Sequence, residues 1–489
     1  MGIEGLDEVL GGGLPRNRIY LIQGVTGVGK TTMALQFLLE GARLGETGLY
    51  VTLSETKEEL EEVAASHGWS LELVHLFELS SLAEQLQGET DNTFFHPSEV
   101  ELNRTTKALL DEVTRLNPVR VVFDSLSEMR LLAETPLRYR RQILQLKQFF
   151  AGRKCTVLLL DDASSSEGDL QIESIAHGVI YLQRSAPAYG IARRQLNVQK
   201  IRGVKFREGN HDLLIRKGGL VVFPRLVAAD HAGDFKRESF PSGIKGLDQM
   251  LGGGLDRGTS TMFMGPPGTG KSTLAMTFVV AAAQREQRVL FFVFDETLGT
   301  LTSRTAQLGM DLAPHLKSGL VCIQQVDPSE ISPGELASKI RHAVTQEGVR
   351  WVIIDSINGY LNAITEDRYL TLQLHELLAF LNQQGVVTIV VLAQQGLVGT
   401  MQSAVDLTYL ADTVVLFRYF EALGSMRQAL SIIKKRSGNH ERTIREIRTG
   451  KGGVEVGKPL TNMQGVLTGV PSFVGRQEEM LGTEQPSHR

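Results

Sequence analysis

Apolar runs of five to eight residues recur along this chain, all but the last closing on Gly, Asp or Ser. The first half carries IYLIQ (19–23), GLYVTL (48–53), VRVVF (119–123) and CTVLLL (155–160). The second half carries VLFFVF (289–294), VRWVII (349–354) and VVTIVVLA (386–393). Continuous β-branched runs of this length are the mark of strands buried on both faces. Between them the apolar positions return every three to four residues, as in KEELEEVAASHG (57–68), LRYRRQILQLKQFF (137–150) and LTLQLHELLAFLNQQG (370–385). That period predicts amphipathic helices. Strands alternating with helices predict an α/β fold with a mainly parallel sheet covered by helices.

The pattern is written twice. Residues 5–37, GLDEVLGGGLPRNRIYLIQGVTGVGKTTMALQF, align without a gap to residues 246–278, GLDQMLGGGLDRGTSTMFMGPPGTGKSTLAMTF, at an offset of 241. The same offset relates 48–56 to 289–297, and the later strands match at 231. A duplicated unit of about 230 residues follows, with expected domains at 1–235 and 236–473 and a polar, mobile tail at 474–489. The boundary falls in the polar stretch AADHAGDFKRE (228–238).

Composition narrows the picture. Of 489 residues, 42% are hydrophobic and 22% charged, with a net charge of −4, so no chain-wide basic field exists to hold nucleic acid or an anionic membrane. Two cysteines, Cys155 and Cys322, cannot build a disulfide framework and suit a reducing cytoplasm. The start, MGIEGLDEVL, has no signal-peptide pattern, and GVVTIVVLA (385–393) is too short for a membrane span. A cytoplasmic protein without a membrane partner is expected.

Both copies carry G-x-x-x-x-G-K-[ST] between a strand and a helix: Gly24, Thr26, Gly27, Val28, Gly29, Lys30, Thr31 and Thr32, then Gly265, Pro267, Gly268, Thr269, Gly270, Lys271, Ser272 and Thr273. Backbone amides can converge on a polyphosphate only where the chain takes positive φ cheaply, and the helix behind adds its positive end. This is the P-loop, an ATP cradle in which Lys30 and Lys271 reach the β- and γ-phosphates. Thr31 and Ser272 offer a hydroxyl to Mg²⁺, and Asp124 and Asp355, each ending an apolar run expected to lie directly beside the P-loop strand, offer the carboxylate. Read in isolation, either Asp could instead cap a helix. Glu55 and Glu296 follow the next strand and suit a base or water-orienting group; the alternative is a solvated acid. Asp295 precedes Glu296, whereas Ser54 precedes Glu55, so unequal chemistry is expected in the two sites. Lys200 and Arg202, and Lys434 and Arg436, form late basic pairs that could act as fingers supplied by a neighbouring subunit, or simply lie on solvated edge strands.

Two P-loop units, each opened by GLD..LGGGL, with DS after the acidic strand, SETKEEL (54–60) and DETLGTL (295–301), and LADTVVLFRY…IIKKRSGNHERTIREI late in the second half, resemble the KaiC family within the RecA superfamily. The resemblance spans roughly 1–470. It implies tandem RecA-like domains stacked as two rings, a homo-oligomer of hexameric type with ATP between protomers, slow hydrolysis in the first ring and serine/threonine self-phosphorylation in the second. It implies Ser54-Glu55 and Asp295-Glu296 as counterparts of the family's paired carboxylates, so one acid is missing from the first and the second is shortened. It places the family's phosphorylation pair on Thr408 and Tyr409, sets Lys200, Arg202, Lys434 and Arg436 against a neighbour's nucleotide, and implies a KaiB-like regulatory partner.

The leading expectation is therefore a Mg²⁺-dependent ATPase ring, with regulation or circadian-type timing as its role and Thr408 as a phosphorylation site. A RecA-type nucleic-acid-dependent ATPase is the alternative. The loop at 394–412 has no Lys or Arg and that at 164–178 is acidic, which argues against nucleic acid. A nucleotide-switched binding module with negligible turnover is a third reading.

Overall fold

The structure is a computed structural model of the chain and describes residues 1–78, 97–162, 170–187, 190–362, 367–394, 396, 406–422, 424–468 and 471–474. The chain divides into two compact units, residues 1–186 with 192–225, and residues 187–191 with 226–489.

Among the described residues each unit holds one nine-stranded sheet. In the first, β1 (Ile19–Gly24), β2 (Gly48–Thr52), β3 (Val74–Glu78), β4 (Arg120–Asp124), β5 (Thr156–Asp162) and β6 (Gly178–Ser185) are followed by β7 (Arg193–Ile201), β8 (Asn210–Arg216) and β9 (Gly219–Phe223). Their order is β3-β2-β4-β5-β1-β6-β7-β8-β9. Pairings from β3 through β6 are parallel. Those from β6 to β9 are antiparallel.

The second unit begins with the short hairpin of β10 (Ser239–Phe240) and β11 (Leu255–Asp256). It then repeats the design with β12 (Ser260–Gly265), β13 (Val289–Val293), β14 (Val321–Gln325), β15 (Trp351–Asp355), β16 (Val387–Ala393), β17 (Thr413–Ala422), β18 (Ser425–Lys435), β19 (Ile444–Gly450) and β20 (Gly453–Pro459). The order β14-β13-β15-β16-β12-β17-β18-β19-β20 matches the first sheet strand for strand.

Two differences from the sequence reading stand out. The antiparallel run that ends each sheet was not foreseen, because its strands mix buried and exposed positions and carry no helix between them. The acidic strand was expected to lie directly beside the P-loop strand. In both units one strand intervenes, β5 between β4 and β1 and β16 between β15 and β12.

Every residue of β1 and of β12 is buried. Their side chains alternate between two cores. Tyr20 and Ile22 pack with the P-loop helix α1 (Lys30–Arg43), and Ile19 and Leu21 pack on the other face with Ile143, Leu146 and Phe150 of α2 (Pro136–Ala151). In the second unit Phe263 packs with α3 (Lys271–Ala283), and Met262 and Met264 face Leu374, Leu378 and Leu381 of α4 (Asp367–Gln383). Each large apolar side chain so buried contributes about 1.5–3 kcal/mol. The two faces together hold the carboxyl ends of β1, β2 and β4, and of β12, β13 and β15, at one edge, where an open α/β sheet places its ligands.

Candidate nucleotide site

The loop after β1 is shaped by its glycines. Gly29, just before α1, has φ of 112°, and Gly270, before α3, has φ of 90°. A side chain at either would be strained. A Cβ on Gly265 would come within 2.4 Å of the Phe417 carbonyl oxygen, so the strand can turn there only without one. The lysine that follows folds back over the loop. Lys271 Nζ donates to the carbonyls of Gly265 at 2.9 Å and Pro266 at 2.6 Å. Lys30 Nζ donates to Gly24 O at 2.8 Å. The second loop is braced further: Thr269 Oγ1 donates to Pro266 O, Tyr419 OH to Pro267 O and Gln428 Nε2 to Gly268 O. The amines thus sit within the cradle that the spacing predicts.

Asp124 is the last residue of β4 and Asp355 the last of β15. Neither is a helix N-cap. Thr31 Oγ1 donates to Asp124 Oδ2 at 3.1 Å, and Ser272 lies beside Asp355, close enough for its hydroxyl to favour the charged carboxylate. Hydroxyl and carboxylate are therefore brought together in both units, the pairing a hydrated Mg²⁺ requires. Burial pushes Asp355 up to about 6, against the pull of Ser272 and of the Arg304 charge. Burial also pushes Lys271 down to about 8. Asp124 is raised by burial too, although the Tyr50 hydroxyl donates to it. Such groups are held ready for charge to arrive, since a buried charge without a partner is costly.

Glu55 is half-buried, with its Oε2 shielded and without a hydrogen-bond partner. Burial, with Asp124 and Glu59 nearby, pushes it up to about 7. The solvated-acid alternative does not describe it. Glu296 is also half-buried but is ion-paired, its Oε2 2.8 Å from Arg304 Nη2. Asp295 is exposed and accepts from the Ser356 hydroxyl.

A family model described as "ATPase: KaiC" matches residues 1–227 and again 240–461. Similar curated proteins include the "Circadian clock oscillator protein KaiC" of Parathermosynechococcus lividus, 24% identical over 98% of this chain and 88% of that protein. The protein of the same name from Thermostichus vulcanus is 24% identical over 98% of this chain and 92% of its own length. The "Circadian clock protein KaiC3" of Synechocystis sp. is 24% identical over 98% and 95%. The chain belongs to the KaiC family of ATPases. It binds nucleotide and hydrolyses ATP on two tandem RecA-like domains. Among the described residues no helix is long and apolar enough to cross a membrane.

The basic pairs of this KaiC-family chain lie away from their own P-loops. Lys200 is level with Val179 and Lys434 with Val414, on strands whose partners β1 and β12 reach the P-loop only at their far ends. β7 and β18 are interior to their sheets, so the edge-strand alternative fails. Each pair ties down backbone. Lys200 and Arg202 donate to the carbonyls of Glu173 and Ser174, and Lys434 and Arg436 to those of Thr408, Ala411 and Tyr409. Thr408 donates its hydroxyl to Asp406 Oδ1 at 2.7 Å, and Tyr409 is exposed. Residues 395 and 397–405 of the 394–412 loop, residues 163–169 at the start of the acidic loop and the tail from 475 lie outside the described residues.

Sequence reading missed four participants. Tyr50 reaches Asp124 from β2. Asp162 at the end of β5 ion-pairs with Lys30 at 2.6 Å. Ser356 engages Asp295, and Arg304 engages Glu296. Aligning the repeats would have flagged Arg304, because at the offset of 241 its counterpart is Val63.

Proposed function

We propose that this chain is a Mg²⁺-dependent regulatory ATPase of circadian-timing type, cytoplasmic and assembled as a hexameric ring of its own copies. The observation that carries this reading is the constellation that recurs in both units: a P-loop lysine, a hydroxyl–aspartate pair and a carboxylate at one sheet edge. The timing role rests on the relatives named as circadian clock proteins.

In this reading the two domains, 1–235 and 236–473, each bind one ATP. Residues 24–32 and 265–273 wrap the phosphates with backbone amides, and Lys30 or Lys271 turns from the loop carbonyls to the β- and γ-phosphates. Thr31 with Asp124, and Ser272 with Asp355, hold Mg²⁺, which supplies neutralisation of the phosphate charge. Glu55 orients the attacking water and accepts its proton as the γ-phosphoryl group is transferred; its partly desolvated carboxylate suits that task near neutral pH. Glu296, with Asp295 beside it, takes this part in the second domain.

Lys200, Arg202, Lys434 and Arg436 serve a neighbour's nucleotide. Their place toward the amino ends of β1 and β12 supports this, since those strands of six residues separate them from their own P-loops by on the order of 10 Å or more. Thr408 lies on the same side, so its phosphate would come from a neighbour's ATP. A KaiB-like protein would act as partner.

Native mass spectrometry with ATP and Mg²⁺ tests this reading. A sixfold assembly that dissociates on nucleotide removal, and slow gain of phosphate mapping to Thr408, are expected. A chain that stays monomeric under saturating ATP would remove the ring. Phosphate absent from Thr408 in an assembled, hydrolysing ring would remove the kinase and leave a plain ATPase.

A further inference from the structure

The two sites differ in one cation. Arg304 lies on α5 (Leu298–Gln307), the helix after β13. Its Nη2 is 2.8 Å from Glu296 Oε2, and its Nη1 donates to Thr273 Oγ1 at 3.1 Å. Thr273 is in the first turn of the P-loop helix and is buried. The guanidinium therefore bridges the phosphate cradle to the candidate base. Its Nε is shielded and has no hydrogen-bond partner, so this side chain is held through its two terminal nitrogens alone. The first unit has no such bridge: Val63 occupies the matching position, and among the described residues Glu55 forms no ion pair.

We propose that Arg304 is a positioning residue that restrains Glu296, and so acts as a built-in brake on ATP hydrolysis in the second domain. The inference rests on Glu296 serving that site as proposed above. The guanidinium occupies one of the acceptor sites of Glu296 and fixes the orientation of its carboxylate, so Glu296 must swing against that contact to line up with an attacking water. Both side chains are partly shielded, Arg304 at 32% and Glu296 at 23% exposure, so the pair is screened less than a surface pair. The Thr273 contact fixes the far end of the guanidinium and keeps it from following the carboxylate. The second site then holds ATP while turning it over slowly, and the first, with an untethered Glu55, turns over faster. A site that retains ATP for long periods is also what transfer to a side chain needs.

The test uses the full chain with Lys30→Ala, which confines turnover to the second site. In that background Arg304→Val, the residue type the first unit carries, and Arg304→Lys are compared by steady-state kinetics. Release of one charge-assisted contact should raise kcat by roughly three- to tenfold while KM for ATP changes by less than about twofold. Arg304→Lys should fall between, because an ammonium can hold the carboxylate but not bridge it to Thr273. Unchanged or lower kcat, or a rise in KM that matches the change in kcat, would overturn the brake and make Arg304 a nucleotide contact. No turnover in any Arg304 form, while the unmodified chain hydrolyses ATP, would overturn it equally. Adding Glu296→Gln separates the two ideas: the gain should vanish. If the gain persists without that carboxylate, the role given to Glu296 fails and the brake with it.

Discussion

Lys30 and Lys271 hold the same place in the repeat and keep different company. Both fold onto their loop carbonyls, but Lys30 also meets Asp162 at 2.6 Å, where the second unit has Ala393. Asp162 competes with phosphate for that amine and adds negative charge beside the cradle. Asp162→Asn should therefore tighten ATP binding at the first site several-fold and leave the second unchanged; calorimetry on the Lys271→Ala and Lys30→Ala chains reads each site separately. Weaker binding would mean that Asp162 positions the amine for phosphate rather than withholding it. Each lysine substitution alone should lower bound ATP from two per chain to one. An unchanged stoichiometry in either variant would remove that P-loop from the account.

Among the elements, the parallel strands and the P-loop helices were legible because their apolar runs and glycine spacing are local signals. The helix expected over 137–150 is α2 at 136–151, and that expected over 370–385 is α4 at 367–383. The antiparallel strands β7 to β9 and β18 to β20 were not legible, since half-exposed strands with charged residues read as loop or edge. Strand adjacency was also beyond the sequence: a carboxylate can be placed at a strand end by its pattern, but the strand inserted between it and the P-loop comes from crossover topology. Tyr50 and Arg304 act across elements, and no spacing within one segment announces them.

One antiparallel strand carries a pH prediction. His211 of β8 is buried, its Nε2 donates to the Arg207 carbonyl at 2.9 Å and its Nδ1 accepts from the Arg225 amide at 2.8 Å. Burial holds its pKa below the usual histidine value; the bond to the Arg207 carbonyl and the Glu8 charge oppose this, and the Arg207 and Arg225 charges add to it. The folded ring stays neutral while the unfolded one gains a proton below about 6.5. Stability should thus fall as pH drops below that value, down to the lowered folded pKa. Raising Glu55 to about 7 has the opposite sign, since the folded form then binds more protons. The readout is therefore a difference: between pH 7.5 and 5.5, the melting temperature of the unmodified chain should drop more than that of His211→Asn. Equal slopes would show that His211 does not titrate on unfolding.

At the scale of the whole molecule, duplication has given one chain two nucleotide sites built from the same parts with unlike settings. The first has a free, desolvated Glu55 and an amine paired with Asp162. The second has Glu296 tied to Arg304 and a more braced loop. The central claim is that both sites bind ATP and that they hydrolyse it at different rates. The most direct test is steady-state ATP turnover, with Mg²⁺ and saturating ATP, by the unmodified chain, Lys30→Ala and Lys271→Ala. The account predicts that Lys271→Ala keeps most of the turnover and Lys30→Ala loses most of it, while each still binds ATP. Equal halves, or most of the turnover surviving in Lys30→Ala, would contradict it.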